Sequence, residues 1–359
     1  MSWTFDKILK GARQLGASDV HLVKGVAPAI RINGEIRPMA GPPLSQSELL
    51  SLYTNLLNED QRRQFEKDLQ LCFSRQLEEI GRFRISVYMH AGCHEFAIRL
   101  CETTIRTADE LGLPQVLTEL TRLPNGLVLV TGPTGMGKTT TLNFMINAIN
   151  STRRAKIITV EDPVEFAHQN NRSIVIQQEL LSDVKSYQLA LRHILRQDPD
   201  VIVIGEMRDL ETIETALIAA ETGHLVIATL HTPDAAQTVQ RIYSVFPAQQ
   251  QNAITVQLAN SLQALIAQKL LPRAGGSGRV LACEVCIATH AVRNHIRERQ
   301  VHQLYSEMQT GRKYQMQTMD QVLLELYQKG EITYDVALSN ARDPQYIRHR
   351  VGEKVKHSV

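Results

Sequence analysis

Gly132, Pro133, Thr134, Gly135, Met136, Gly137, Lys138 and Thr139 match the pattern G-x-x-x-x-G-K-[ST] at every position. Apolar Leu127, Val128, Leu129 and Val130 precede them, and a helix-like stretch at 140–149 follows. Strand, glycine-rich turn and helix start are the context this chemistry needs. The glycines let the backbone curl until its N–H groups point at phosphate oxygens, and the helix N-terminus adds partial positive charge at the same place. Lys138 would neutralise β- and γ-phosphate oxygens, and the Thr139 hydroxyl would ligate Mg²⁺. The chain is therefore expected to bind a nucleoside triphosphate.

Acidic residues at two further strand ends narrow the chemistry. Val201, Ile202, Val203 and Ile204 run into Gly205 and Glu206, where a generic second nucleotide motif has Asp-Glu after the apolar run. Glu206 would sit at the carboxyl edge of the sheet, where open α/β sheets bind ligands. From there it can reach Mg²⁺ through a water or polarise an attacking water. Ile157, Ile158, Thr159 and Val160 run into Glu161, Asp162, Pro163, Val164 and Glu165, which bring three more carboxylates to a strand end. A carboxylate near phosphate can orient or deprotonate water; in isolation the same loop is an ordinary solvated turn. His224 and His231 flank the apolar run 225–230. A histidine at a strand end can bond a γ-phosphate, and it can equally be a structural cap.

Alternating segments build the frame that must hold these groups. Phe5, Ile8, Leu9, Ala12 and Leu15 repeat at helical spacing up to Gly16. Short strands are expected at 20–23 and 30–32, with Asn33-Gly34 as a hairpin turn. Ser45 and Glu48 form a capping box at a helix start. Residues 82–88 alternate polar and apolar, as a half-buried strand does, and 96–100 read as the hairpin partner. The polar stretch 102–110 reads as a linker. Beyond it, buried runs alternate with helical segments, the signature of a parallel sheet with crossover helices. A flexible turn is expected at 275–278 and short helices from Thr289 onward.

Four blocks in order make the constellation specific: residues 132–141, 159–166, 196–209 and 221–232. They resemble the Walker A, Asp box, Walker B and His box of the type II/IV secretion ATPase superfamily, in which Gly205-Glu206 is the usual form of the second motif. Within that superfamily the chain is most similar to the type IV pilus retraction ATPases, the PilT group. Ala17, Ser18, Asp19, Val20, His21 and Leu22 near the start, and 291–298 near the end, resemble that group's terminal signatures. The resemblance implies an α/β protein with three parts. They are an N-terminal PAS-like α+β domain at 1–108, a RecA-like P-loop domain at 109–288 and a helical C-terminal region at 289–359.

The resemblance also implies ATP and Mg²⁺ bound between the two domains of a homohexameric subunit, with arginines of the first domain reaching the phosphates. Arg82, Arg84 and Arg99 match those arginines; Arg82 and Arg84, two apart on a strand, share a face. Glu165 is implied as general base and Glu206 as a metal and water ligand, with Thr140, Glu161, His224 and His231 completing the nucleotide site. The implied partners are an inner-membrane pilus platform protein and a second retraction ATPase. An accessory retraction ATPase of the PilU kind, or a secretion or conjugation ATPase, carries the same motifs. A nucleotide-gated scaffold is disfavoured by the full set of charged groups. A guanine-nucleotide switch is disfavoured because no Asn-Lys-x-Asp motif is present.

Composition excludes other classes. The 359 residues suggest two domains. With 39 basic and 37 acidic side chains, a net charge of +2 is not that of a protein that coats nucleic acid. No apolar run reaches membrane-helix length, the first residues lack a signal-peptide layout, and five cysteines suit a reducing cytoplasm. A peripheral place at the inner membrane would then come through partners. Cys283 and Cys286 read as small buried residues, as do Met308, Met316 and Met319. His90, Cys93 and His94 fall in an expected hairpin turn, where metal ligation is geometrically possible.

Overall fold

The computed structural model describes residues 3–356 except 33, 79, 103 and 277, and of 353–356 the backbone alone. The chain forms two compact units. The first comprises Met1–Thr104 together with Glu161–Gln169 and Gln177–Ser186; the second comprises Ile105–Val160, Asn170–Ile176 and Tyr187–Val359.

In the first unit, α1 (Phe5–Gln14) leads to β1 (Asp19–Leu22), β2 (Ala29–Ile32) and β3 (Glu35–Pro38). Then come α2 (Gln46–Leu56), α3 (Glu59–Asp68), β4 (Gln70–Leu77), β5 (Gly81–His90) and β6 (Cys93–Leu100). The strands form one sheet in the order β3-β2-β1-β6-β5-β4, antiparallel throughout. Thr4 caps α1, and Ser45 and Glu48 form the expected capping box on α2. Ile8, Leu9, Leu49, Phe65, Phe83 and Phe96 fill the core beneath the sheet. On β5 the period of two buries Phe83, Ile85 and Val87 and turns Arg82 and Arg84 to the opposite face. Arg84 and Arg99 are direct cross-strand partners, so all three arginines share that face.

The β5–β6 turn is tighter than the sequence suggests. Strand pairing continues to His90 and Cys93, leaving only Ala91 and Gly92, both left-handed, as the turn. Cys93 is buried, His94 stacks on Tyr53 with ring centroids 4.1 Å apart, and His90 faces Glu95. The three residues do not converge. Among the described residues no group of three or more His, Cys, Asp or Glu side chains is arranged to hold a metal ion. Asn33 of the expected β2–β3 turn and Ser277 of the expected 275–278 turn lie outside the described residues.

The second unit begins with α4 (Ala108–Leu111) and α5 (Val116–Leu120). It continues through β7 (Gly126–Thr131), α6 (Lys138–Thr152), β8 (Lys156–Glu161), β9 (Ile174–Glu179), α7 (Tyr187–Ile194), β10 (Val201–Ile204), α8 (Leu210–Glu221) and β11 (Leu225–Leu230). Next are α9 (Ala235–Ser244), α10 (Ala248–Ser261), β12 (Leu262–Pro272) and β13 (Arg279–Ile287). The chain closes with α11 (His290–Arg297), α12 (Leu304–Thr310), α13 (Met319–Gln328), α14 (Tyr334–Asn340) and α15 (Pro344–Lys356). Both β8 and β9 end inside the first unit.

The sheet order is β13-β12-β7-β11-β10-β8-β9, with β12, β7, β11, β10 and β8 parallel and β13 antiparallel to β12. All six residues of β7 and of β11 and all four of β10 are buried, which is why these strands read as unbroken apolar runs. Parallel pairing aligns their carboxyl ends at one edge, from which the phosphate loop, Glu206 and His231 emerge.

The C-terminal helices pack their own core, Met319, Leu323, Ile332, Ala337 and Ile347, against Leu271, Val280 and Ala282 of the terminal hairpin. Met308, Met316, Cys283 and Cys286 are buried, and all five cysteines are free thiols. Among the described residues no helix is long and apolar enough to cross a membrane.

Candidate nucleotide site

The phosphate loop joins β7 to α6. Gly132, Gly135 and Gly137 all adopt left-handed φ. At Gly132 a side chain is excluded outright, because a Cβ would lie 2.5 Å from the Gln268 carbonyl oxygen of β12. At Gly135 a Cβ would meet open space, so glycine is needed there for its φ of +80° alone. Gly137 occupies the N-cap of α6 and offers no capping side chain, so the first-turn N–H groups are not consumed by one. These features fit an anion cradle.

Lys138, the first residue of α6, is buried and folds back over the loop. Its Nζ donates to the carbonyls of Gly132 (2.6 Å) and Pro133 (3.0 Å) and to His231 Nδ1 (3.2 Å). Burial lowers its pKa, and the neighbouring Glu206 charge opposes that effect. Thr134 Oγ1 stands 3.5 Å from the same Nδ1.

Glu206 and His231 meet across the ends of β10 and β11. His231 Nε2 lies 2.9 Å from Glu206 Oε1, and Arg208 Nη2 donates to Oε2 at 2.7 Å. The imidazole thus bridges the Lys138 ammonium at Nδ1 and the Glu206 carboxylate at Nε2. Burial would raise the Glu206 pKa, but the hydrogen bonds from Arg208 and His231 prevail and hold the carboxyl below its usual range. A continuous chain therefore runs from Lys138 through His231 and Glu206 to Arg208. Thr139, half-buried in the first turn of α6, and Glu206 are oxygen donors of the kind Mg²⁺ accepts.

His224 is not part of this group. It precedes β11, at the amino end of the strand that His231 follows, and its Nδ1 contacts the Ala219 carbonyl of α8 at 3.0 Å. Six strand residues at about 3.3 Å each keep it some 20 Å from the phosphate-loop edge. His224 therefore caps a helix–strand connection. Thr140 follows Thr139 in the first turn of α6 and is half-buried.

A second charged cluster lies wholly within the first unit, which takes in Glu161–Gln169. Arg84 Nη1 is 3.5 Å from Glu165 Oε1, and both side chains are about one-third exposed or more. Arg82 is differently engaged: its Nε donates to the Val164 carbonyl (2.6 Å), and its Nη2 donates to Glu179 Oε2 (3.0 Å) and to the Ser74 hydroxyl. Arg99 pairs with its cross-strand neighbour Asp19 at 3.0 Å. Glu161 is buried and accepts from Gln177 Nε2 at 3.0 Å. The three arginines that look equivalent in sequence thus have three different commitments.

Glu179 and Arg208 were not separable from solvated charges by any local pattern. Gln268 is likewise unmarked, yet it donates to Thr141 Oγ1 at 2.7 Å behind the phosphate loop. Glu284, between Cys283 and Cys286, is fully buried and accepts the Ala235 N–H at 2.8 Å, pinning the start of α9 just after the His231 strand. Burial pushes its pKa up to about 7; Asp234 adds to the rise, while the Ala235 and Met319 N–H groups and Arg342 oppose it.

In the folded chain Glu284 keeps its proton to about pH 7, whereas in the unfolded chain a carboxyl releases it near 4.5. Its contribution is therefore complete below about pH 4.5 and declines as pH rises through 7. Glu284→Gln, which cannot ionise, is expected to gain stability relative to the parent by up to about 3 kcal/mol between pH 5 and 8. Urea midpoints of both proteins at the two pH values measure it; a constant difference refutes it.

Residues 2–359 match the family model described as type II/IV secretion system protein. The chain is 43% identical over 339 residues to the type IV pilus retraction ATPase PilT of Pseudomonas aeruginosa, covering 94% of this chain and 98% of that one. It is 39% identical over 344 residues to the type IV pilus ATPase PilU of the same organism, covering 96% and 90%. A crystal structure of the pilus retraction motor PilT with bound ADP superposes with a TM-score of 0.90 at 45% identity, covering 97% of this chain and all of that one. Its fold, its phosphate loop and its full-length similarity all agree: the chain belongs to the type II/IV secretion system protein family and is an ATPase of the PilT group.

Proposed function

We propose that this ATPase is the motor that powers type IV pilus retraction, acting as a homohexamer docked through an inner-membrane pilus platform protein. The similarity to PilT over nearly the full length of both chains is what supports the retraction reading. ATP binds with its phosphates on residues 132–139. Lys138 leaves the loop carbonyls for β- and γ-phosphate oxygens, and Thr139 and Glu206 would hold Mg²⁺. Bound Mg²⁺ offsets charge on the triphosphate.

Glu165 accepts the proton of the attacking water, and Arg84 stabilises charge that develops on the γ-phosphate. His231, already bonded to Lys138 and Glu206, registers whether the γ-phosphate is present. Loss of that group on hydrolysis removes contacts made in only one nucleotide state. That differential contact is the free energy available to drive movement. A second retraction ATPase, of the kind to which this chain is 39% identical, can share the work.

The test is cellular and mechanical. In the native host, Glu206→Ala should abolish pilus retraction and twitching while surface pili are still assembled. Fluorescently labelled pili that extend but never shorten are the expected observation. Loss of assembly instead would make the protein an extension motor and overturn the retraction assignment.

A further inference from the structure

Glu179 has a place in the fold that none of the nucleotide motifs explains. It lies at the end of β9, in the part of that strand belonging to the first unit, with its side chain only 4% exposed. A carboxylate this deep is costly unless its lone pairs are filled, and here they are. Oε1 accepts the Ser74 N–H (2.8 Å) and the Ser182 hydroxyl (3.3 Å). Oε2 accepts the Val164 N–H (3.1 Å), Arg82 Nη2 (3.0 Å) and the Ser74 hydroxyl.

Glu179 and its partner Arg82 converge on one residue. Val164 gives its N–H to Glu179 and receives Arg82 Nε at its carbonyl at 2.6 Å. Both bonds are charge-assisted, the stronger class of hydrogen bond. Its side chain is buried as well. Val164 is therefore held on three sides, and the next residue is Glu165, whose side chain stays partly exposed beside Arg84.

We infer that Glu179, with Arg82 as its partner, is a positioning residue for Glu165: the pair clamps Val164 so that the neighbouring carboxylate projects from a fixed backbone. The inference rests on the reading of Glu165 as general base. It also separates the two arginines of β5. Arg82 is spent on the loop, and Arg84 is the one of the pair whose guanidinium remains available to a phosphate.

The clamp makes a prediction that a merely exposed loop would not. In Glu179→Gln, one acceptor oxygen replaces two, and an amide donor is set against the Val164 N–H or Arg82. Amide hydrogen exchange across residues 162–167 should quicken by about tenfold or more. The kcat for ATP should fall by about tenfold to a hundredfold, with KM changed less than about twofold. Arg82→Ala should produce the same pair of changes, and the double variant should be no worse than the worse single one, since the two side chains act as a unit. Should Glu179→Gln fail to fold, Ser74→Ala, which removes one hydroxyl from the clamp, should still quicken exchange in that segment.

Unchanged exchange at 162–167 overturns the inference, and so does quickened exchange with parental kcat. Turnover that survives Glu165→Gln would instead reject the base assignment, a result to which the exchange measurement is indifferent.

Discussion

Lys138→Ala should reduce kcat/KM for ATP by about 10³-fold, some 4 kcal/mol of transition-state stabilisation. The argument begins with where Nζ already is. It bridges the carbonyls of Gly132 and Pro133 and the Nδ1 of His231 from the first turn of α6. The side chain is buried, and burial lowers the pKa of its ammonium, which is therefore a poorly solvated cation. A triphosphate supplies an anion, and the negative charge shifting among its oxygens during phosphoryl transfer is what such a cation stabilises.

Alanine removes the charge and also the donor to His231. The connection from Lys138 through His231 to Glu206 is then lost, leaving Thr134 Oγ1 beside Nδ1. Phosphate release under saturating ATP, with binding of a fluorescent nucleotide measured separately, distinguishes lost chemistry from lost affinity. A folded Lys138→Ala protein that turns over ATP normally would show that the nucleotide site lies elsewhere.

Glu165→Gln should lower kcat by about 10²- to 10⁴-fold while leaving ADP affinity within about threefold. Glutamine keeps the size of the side chain and an oxygen near Arg84, 3.5 Å from the present carboxylate. It cannot take a proton from water. The loss should therefore fall on the chemical step rather than on binding, visible as disappearance of the single-turnover phosphate signal with unchanged nucleotide association. Equal loss of ADP affinity would mean that Glu165 contributes to the nucleotide cradle rather than to proton transfer. The partial exposure of this carboxylate matters here, since a buried and fully bonded one, like Glu179, could not accept a proton from substrate water.

The contrast between those two glutamates shows what local pattern can reach. The phosphate loop is legible because its requirements are local. Gly135 needs a left-handed backbone, Lys138 needs to follow directly at a helix start, and the buried strand before it must be apolar on both faces. Glu206 and His231 are legible for a related reason. Each directly follows, or nearly follows, a wholly buried strand, and parallel pairing sends all such strand ends to one edge. His224, assigned to the site by the resemblance alone, stands at the amino end of the same strand, away from that edge.

What sequence alone determined is therefore the family, the α/β character, the phosphate-loop motif and the strand ends at which Glu206 and His231 stand. Tertiary structure decided what each charged group is committed to. Arg82 and Arg84 alternate on one strand and are indistinguishable by spacing. Their difference arises because Glu179, 97 residues from Arg82 in the chain, reaches one and not the other. Likewise Glu284 looks like a charge between two cysteines until β13 carries it beneath the start of α9. Propensity, periodicity and turn chemistry act over a few residues and are written in order along the chain. Burial of a carboxylate and the filling of its lone pairs depend on segments that meet only when the sheets form.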